Sequence, residues 1–144
     1  MPSVKITERE MQYIALFENI TSTVVKDCII DDERNRIIFL IKPGQAALAV
    51  GRNGINVKRL REILNKNIEI VEFSDKPEEL IRNSLYPARV TSVRVVTTAD
   101  KRKIALVSVP PADKGLAIGK NGRNISRARI IAKRYFDIEK IVII

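Results

Sequence analysis

The chain has 144 residues, with 26 Lys plus Arg against 17 Asp plus Glu, a formal charge of +9, one Cys, no His and no Trp. Without His there is no imidazole acid–base chemistry and the commonest metal ligand is missing; Cys28 alone makes neither an internal disulfide nor a thiolate metal cluster. An acidic polymer or an anionic membrane surface is the natural class of partner, an intracellular, cytoplasmic location is the default, and no apolar run approaches the roughly 20 residues that span a bilayer.

Thr7-Glu8-Arg9-Glu10 is a capping-box pattern that opens a helix carrying Met11, Ile14, Leu16 and Phe17. Two β-rich runs follow, Val24–Ile30 and Arg36–Ile41, parted by the polar turn Asp31-Asp32-Glu33-Arg34-Asn35. A glycine-containing segment then reads as a short helix, a turn and a longer helix to about Leu64. Asn65-Lys66-Asn67 breaks it, and Ile68–Phe73 returns to strand. The second half runs in the same order. A helix is predicted from Asp75 through Leu85, with Pro77, Glu78 and Glu79 suited to its first turn. Strands are predicted at Val90–Thr98 and Lys103–Val109, then a second glycine segment and a last strand at Ile138–Ile144. The order is α-β-β-α-α-β, twice.

The two halves are a duplication at an offset of 68 residues. Residues 43–64 and 111–132 align without a gap, and ten of the 22 positions are identical. The fold class expected is α+β, two small sheets covered by helices, with units at 1–74 and 75–144. The junction has no Gly/Ser-rich stretch, which predicts a fixed relative orientation.

The charge follows the repeat. Lys42–Asn67 carries six cations against Glu62 alone, and Lys114–Phe136 carries seven cations and no acid. Gly51-Arg52-Asn53-Gly54 and Gly119-Lys120-Asn121-Gly122 each join a short helix to a longer one. Glycine lets a phosphate or sugar approach the main chain, the following helix aims its N–H groups at the same spot, and Arg52 or Lys120 adds a charge. Such a loop grips a nucleic-acid backbone, while the apolar groove beside it accepts unstacked bases.

Gly-x-x-Gly alone is weak, but Leu-Ala-Val-Gly-Arg-Asn-Gly-Ile-Asn-Val and Leu-Ala-Ile-Gly-Lys-Asn-Gly-Arg-Asn-Ile are specific. With these strings and this order of elements the chain resembles tandem type II KH domains, and the pair resembles the KH region of NusA-like transcription factors in their short archaeal form. The resemblance spans essentially the whole chain. It departs from the bacterial pattern in having no counterpart of the amino-terminal polymerase-binding domain or the S1-type barrel. The resemblance implies RNA clamped at the GXXG loops, a role in transcription elongation, termination or antitermination, and contact with nascent RNA and RNA polymerase.

The candidate RNA-binding residues are Val50, Gly51, Arg52, Asn53, Gly54, Asn56 and Arg59 in the first copy. In the second they are Lys114, Ile118, Gly119, Lys120, Asn121, Gly122, Arg123, Asn124 and Arg127. Val57, Leu60 and Leu64, like Ile125, Ala128 and Ala132, share one helical face and are assigned to the core. Asn56, Arg59 and Ile63 form a second stripe, identical to Asn124, Arg127 and Ile131, which serves either RNA contact or packing between units.

Other features take ordinary readings. Gly119-Lys120 fails as a phosphate loop for nucleotide hydrolysis, because Lys114 and Asn121 stand where Gly and Ser or Thr are required. Asp31, Asp32 and Glu33 read as a solvated turn rather than a metal site, and Asp100-Lys101-Arg102-Lys103 reads as a solvated turn rather than a source of phosphate contacts. Cys28 reads as a buried hydrophobe. The seven aromatics are assigned mostly to the core, so bases are expected to be held by groove and backbone rather than stacking platforms. The leading reading is a non-enzymatic, monomeric, single-stranded RNA-binding protein with two clamps in one extended track. No cofactor, metal, membrane or small-molecule substrate is expected. A ribosome- or polymerase-associated KH scaffold is the alternative, and a helix-turn-helix reader of duplex DNA fits the flanking strands poorly.

Overall fold

The computed structural model describes Val4–Ile144, and within it the chain forms two compact units, Lys5–Phe73 and Ser74–Ile144. In the first unit, helix α1 (Glu8–Thr21) is followed by strands β1 (Val25–Asp31) and β2 (Arg36–Ile41). The short helix α2 (Ala46–Val50), the longer α3 (Ile55–Leu64) and strand β3 (Asn67–Glu72) complete it. The second unit repeats the series as α4 (Pro77–Ser84), β4 (Ser92–Thr97), β5 (Lys103–Ser108), α5 (Lys114–Ile118), α6 (Arg123–Phe136) and β6 (Ile138–Ile143). The predicted elements are all present, with ends displaced by one or two residues; β1 runs on to include Asp31.

The capping box that opens α1 is complete: the Glu10 N–H donates to the Thr7 hydroxyl, and the Thr7 N–H donates to the Glu10 carboxylate at 2.8 Å. Each sheet has three strands, ordered β1-β2-β3 and β4-β5-β6, with an antiparallel first pair and a parallel second pair. A parallel return needs a long crossover. That crossover is the two-helix segment carrying the glycine loop, so both loops leave the same place in their units, just past the second strand.

In the first unit the core gathers Phe17, Cys28, Ile37, Phe39, Ala49 and Leu60, with the Phe17 and Phe39 rings stacked at 4.2 Å. Val57 and Leu64 pack against it half-buried. In the second unit Ala117, Ile125, Ala128 and Ala132 are buried, so the face assigned to the core is the core face in both copies. Ala49 and Ala117, identical in the repeat and fully buried, pin the short helices and thereby the start of each loop. Asp31 departs from the solvated-turn reading. It ends β1, is buried, and pairs with Arg36, whose guanidinium also reaches Glu69. Asp32 and Glu33 are exposed as expected. Cys28 is buried within its strand.

Candidate nucleic-acid interface

The two glycine loops share one backbone. Gly51 and Gly119 have φ/ψ of 81/169° and 77/169°, a region open in practice to glycine alone. Asn53 and Asn121 follow at φ 56°, and Gly54 and Gly122 at φ 72° and 73°. A single tight turn closes each loop, through Gly54 N–H to the Gly51 carbonyl and Gly122 N–H to the Gly119 carbonyl, both at 3.1 Å.

The two glycines of each loop serve different ends. A Cβ on Gly51 would lie 2.8 Å from the Asn56 amide nitrogen, and one on Gly119 would meet the Asn124 amide at the same distance. Those amides are already engaged: Asn56 Nδ2 donates to the Leu48 carbonyl at 3.2 Å, and Asn124 Nδ2 to the Leu116 carbonyl at 2.8 Å. Each asparagine thus ties the long helix to the last turn of the short one, across the first glycine. The second glycine faces open space, with nothing within 4 Å of a Cβ at Gly54 and only Ile125 Cγ2 at 3.9 Å for Gly122. There a ligand can reach the main chain.

Behind the second glycine the helix ends are arranged for an anion. α1 and α4 carry acids in their first turns, Glu8 and Glu10 in one, Glu78 and Glu79 in the other. α3 and α6 have no first-turn acid, and the cap residues Gly54 and Gly122 supply no side-chain bond. The positive end of each helix dipole is left to whatever approaches the loop. Arg52 and Lys120 are exposed at the crown, and Lys58, Arg59, Arg61, Lys114, Arg123 and Arg129 are exposed as well. Val50 and Ile118 expose apolar side chains just before the first glycine, with Leu48 and Leu116 two residues earlier.

Residues 77–143 match the model of the NusA-like second KH domain, and residues 11–75 match that of the KH domain. The chain is 37% identical over 138 residues to the "Probable transcription termination protein NusA" of Halococcus morrhuae, covering 96% of each. To the protein of the same name from Methanocaldococcus jannaschii it is 34% identical, across its whole length and 77% of that protein. The chain belongs to the NusA family. It is also similar to the crystal structure of APE1850, with a TM-score of 0.87 and 42% identity over 96% of this chain and all of that one.

Within this NusA-family chain the candidate residues fall into three groups. Val50, Arg52, Asn53, Lys114, Ile118, Lys120, Asn121 and Arg123 are exposed on or beside the loops, with Gly51, Gly54, Gly119 and Gly122 shaping them. Asn56 and Asn124 spend their amides inside the loop, as ties. The third group is a pair that has diverged. Arg59 is exposed, whereas Arg127, identical in sequence and position, is only 7% exposed. Its Nε donates to the Ser84 carbonyl and its Nη2 to the Tyr86 carbonyl, each at 2.9 Å.

The reason lies in the preceding helix. α4 stops at Ser84, so the carbonyls of Ser84 and of Tyr86, the latter already beyond the helix, accept from the Arg127 guanidinium. α1 continues to Thr21, and the Glu18 carbonyl, which corresponds to that of Tyr86, already accepts from Ser22 N–H at 2.9 Å. Arg127 therefore braces the chain at the end of α4, inside its own unit. Among the aromatics, Tyr86 departs from the core assignment, being 74% exposed. Among the described residues no three acids or cysteines are placed to hold a metal, and no helix is long and apolar enough to cross a membrane.

Proposed function

We propose that this chain is a non-enzymatic transcription factor that binds single-stranded RNA, one strand engaging both glycine clamps. The observation that carries the reading is the pair of acid-free helix N-termini behind matching Gly-x-x-Gly loops. Phosphates sit at the loop and the helix end, Arg52 and Lys120 add charge, and unstacked bases lie against the apolar side chains at Val50 and Ile118. The names of the relatives place those proteins in transcription termination, and the same setting is proposed for this chain, with nascent RNA as ligand and RNA polymerase as the neighbouring machine. Nothing in the loops supports catalysis: they present amides, cations and aliphatic groups, and no nucleophile with a base beside it.

A salt titration of binding to short single-stranded RNA, with duplex DNA as competitor, tests this. Affinity should fall steeply with salt, and the duplex should compete poorly; preference for the duplex would reject the reading. The diverged arginines sharpen the test. Arg59→Ala should lower the slope of log Kd against log salt by about 0.7, the loss of one single-strand phosphate contact. Arg127→Met should leave the slope unchanged while destabilising its unit by about 2 kcal/mol, because two carbonyls lose a charged donor. Equal slopes for wild type and Arg59→Ala would remove Arg59 from the interface.

A further inference from the structure

We propose that the segment Ser84–Arg89 is a further RNA-contact element of the second unit, whose Tyr86 ring stacks on a base next to the Gly119–Gly122 clamp. The proposal rests on the single-stranded RNA reading above.

The segment is irregular yet firmly tied. Leu85 is fully buried and Ala88 is 6% exposed, so these two point inward while the Tyr86 ring and Pro87 stand in solvent. Pro87 follows, and a residue before proline is disfavoured in helix, which accounts for the chain leaving α4 here. Two anchors hold the segment, and both lead to the clamp. At one end Arg127 of α6 grips the Ser84 and Tyr86 carbonyls. Arg127 lies one turn, ~5 Å of rise, beyond Asn124, whose amide ties α6 to α5.

At the other end the Arg89 N–H donates to Asp113 Oδ2 at 2.7 Å, and the Arg89 guanidinium reaches Asp113 Oδ1 at 3.3 Å. The backbone N–H of Arg89, with its side chain, holds the Asp113 carboxyl below its ordinary pKa, so the anchor is charged at neutral pH. Asp113 immediately precedes α5. The exposed tyrosine is thus braced against both helices that carry the second glycine loop.

An exposed, pre-ordered aromatic ring offers contact area at little entropic cost and suits either a protein pocket or a base. The surroundings select the base. Lys114 and Lys120, exposed on α5 and the loop, and Arg123, exposed at the start of α6, are cations, and Lys114–Phe136 contains no acid. A polyanion drawn there brings unstacked bases with it. The first unit has no equivalent: position 18 is Glu, inside the last turn of α1. The duplicated arginine has therefore been turned, in one copy only, into the positioning residue of a stacking element.

The test compares wild type, Tyr86→Ala and Tyr86→Phe in binding a short single-stranded RNA and an abasic oligonucleotide of equal length. Tyr86→Ala should bind the RNA about tenfold more weakly, with an unchanged salt slope because no phosphate contact is lost. Tyr86→Phe should bind as wild type does, and on the abasic strand all three proteins should be equal. Equal RNA affinity of wild type and Tyr86→Ala would overturn the proposal while leaving the clamps standing. So would a Tyr86→Ala variant that binds RNA normally but loses RNA polymerase, which would make the ring a protein contact. A wild-type chain that binds no RNA would instead reject the function itself. Because the ring is exposed, the melting temperature of Tyr86→Ala should match wild type.

Discussion

Changing Arg52, Asn53, Lys120 and Asn121 together to Asp is expected to weaken single-stranded RNA binding at least about 100-fold while the fold stays intact. About 100-fold corresponds to roughly 2.7 kcal/mol of binding free energy. Each loop loses its crown cation and gains two carboxylates, at a point where phosphates would lie against an uncompensated helix N-terminus. The fold is spared for three reasons. All four side chains are exposed, the glycines that set the loop geometry are retained, and φ of 56° at Asn53 and Asn121 is a conformation Asp also tolerates. Fluorescence anisotropy with a labelled oligonucleotide reads the affinity, and a thermal melt reads the fold. Retained affinity in a folded variant would remove the loops from the mechanism.

The largest expected effect on stability lies away from the clamps. Arg36 is 1% exposed, with Nε 2.8 Å from Asp31 and Nη1 3.0 Å from Glu69, both carboxylates themselves buried. Arg36→Met should destabilise the first unit by about 3–5 kcal/mol, because it strands two carboxylates out of water. Replacing Asp31, Arg36 and Glu69 together by apolar residues of similar size should recover most of that loss. Urea unfolding of the three proteins checks both statements. A cost under about 1 kcal/mol for Arg36→Met would mean that the carboxylates find water or other partners.

Much of the architecture could be read before any coordinate. The offset repeat, the capping box at Thr7–Glu10 and the apolar faces Val57/Leu60 and Ile125/Ala128 place helices and core by local rules. The glycine loops were legible for the same reason: Gly-x-x-Gly followed by an acid-free helix start is a local pattern. What escaped depends on neighbours remote in sequence. Arg59 and Arg127 are identical residues in identical stripes, and only the length of the helix packed on them separates a free cation from an internal brace. The signal was nonetheless present, since Tyr86-Pro87 disfavours continuing a helix and Glu18-Asn19 does not. Asp31 looked like one more acid in a turn. Glu69, between apolar residues in a strand, was the sign that a buried cation had to exist. The roles of Asn56 and Asn124 were ambiguous because an amide serves equally well as ligand contact or as tie.

The most direct measurement is an amide NMR titration of the isotope-labelled chain with a short single-stranded RNA. Shifts should concentrate at Gly51–Asn56 and Gly119–Asn124, the two loops and the helix starts behind them. Saturable binding with those amides unmoved, and the shifts gathered elsewhere, would contradict the account.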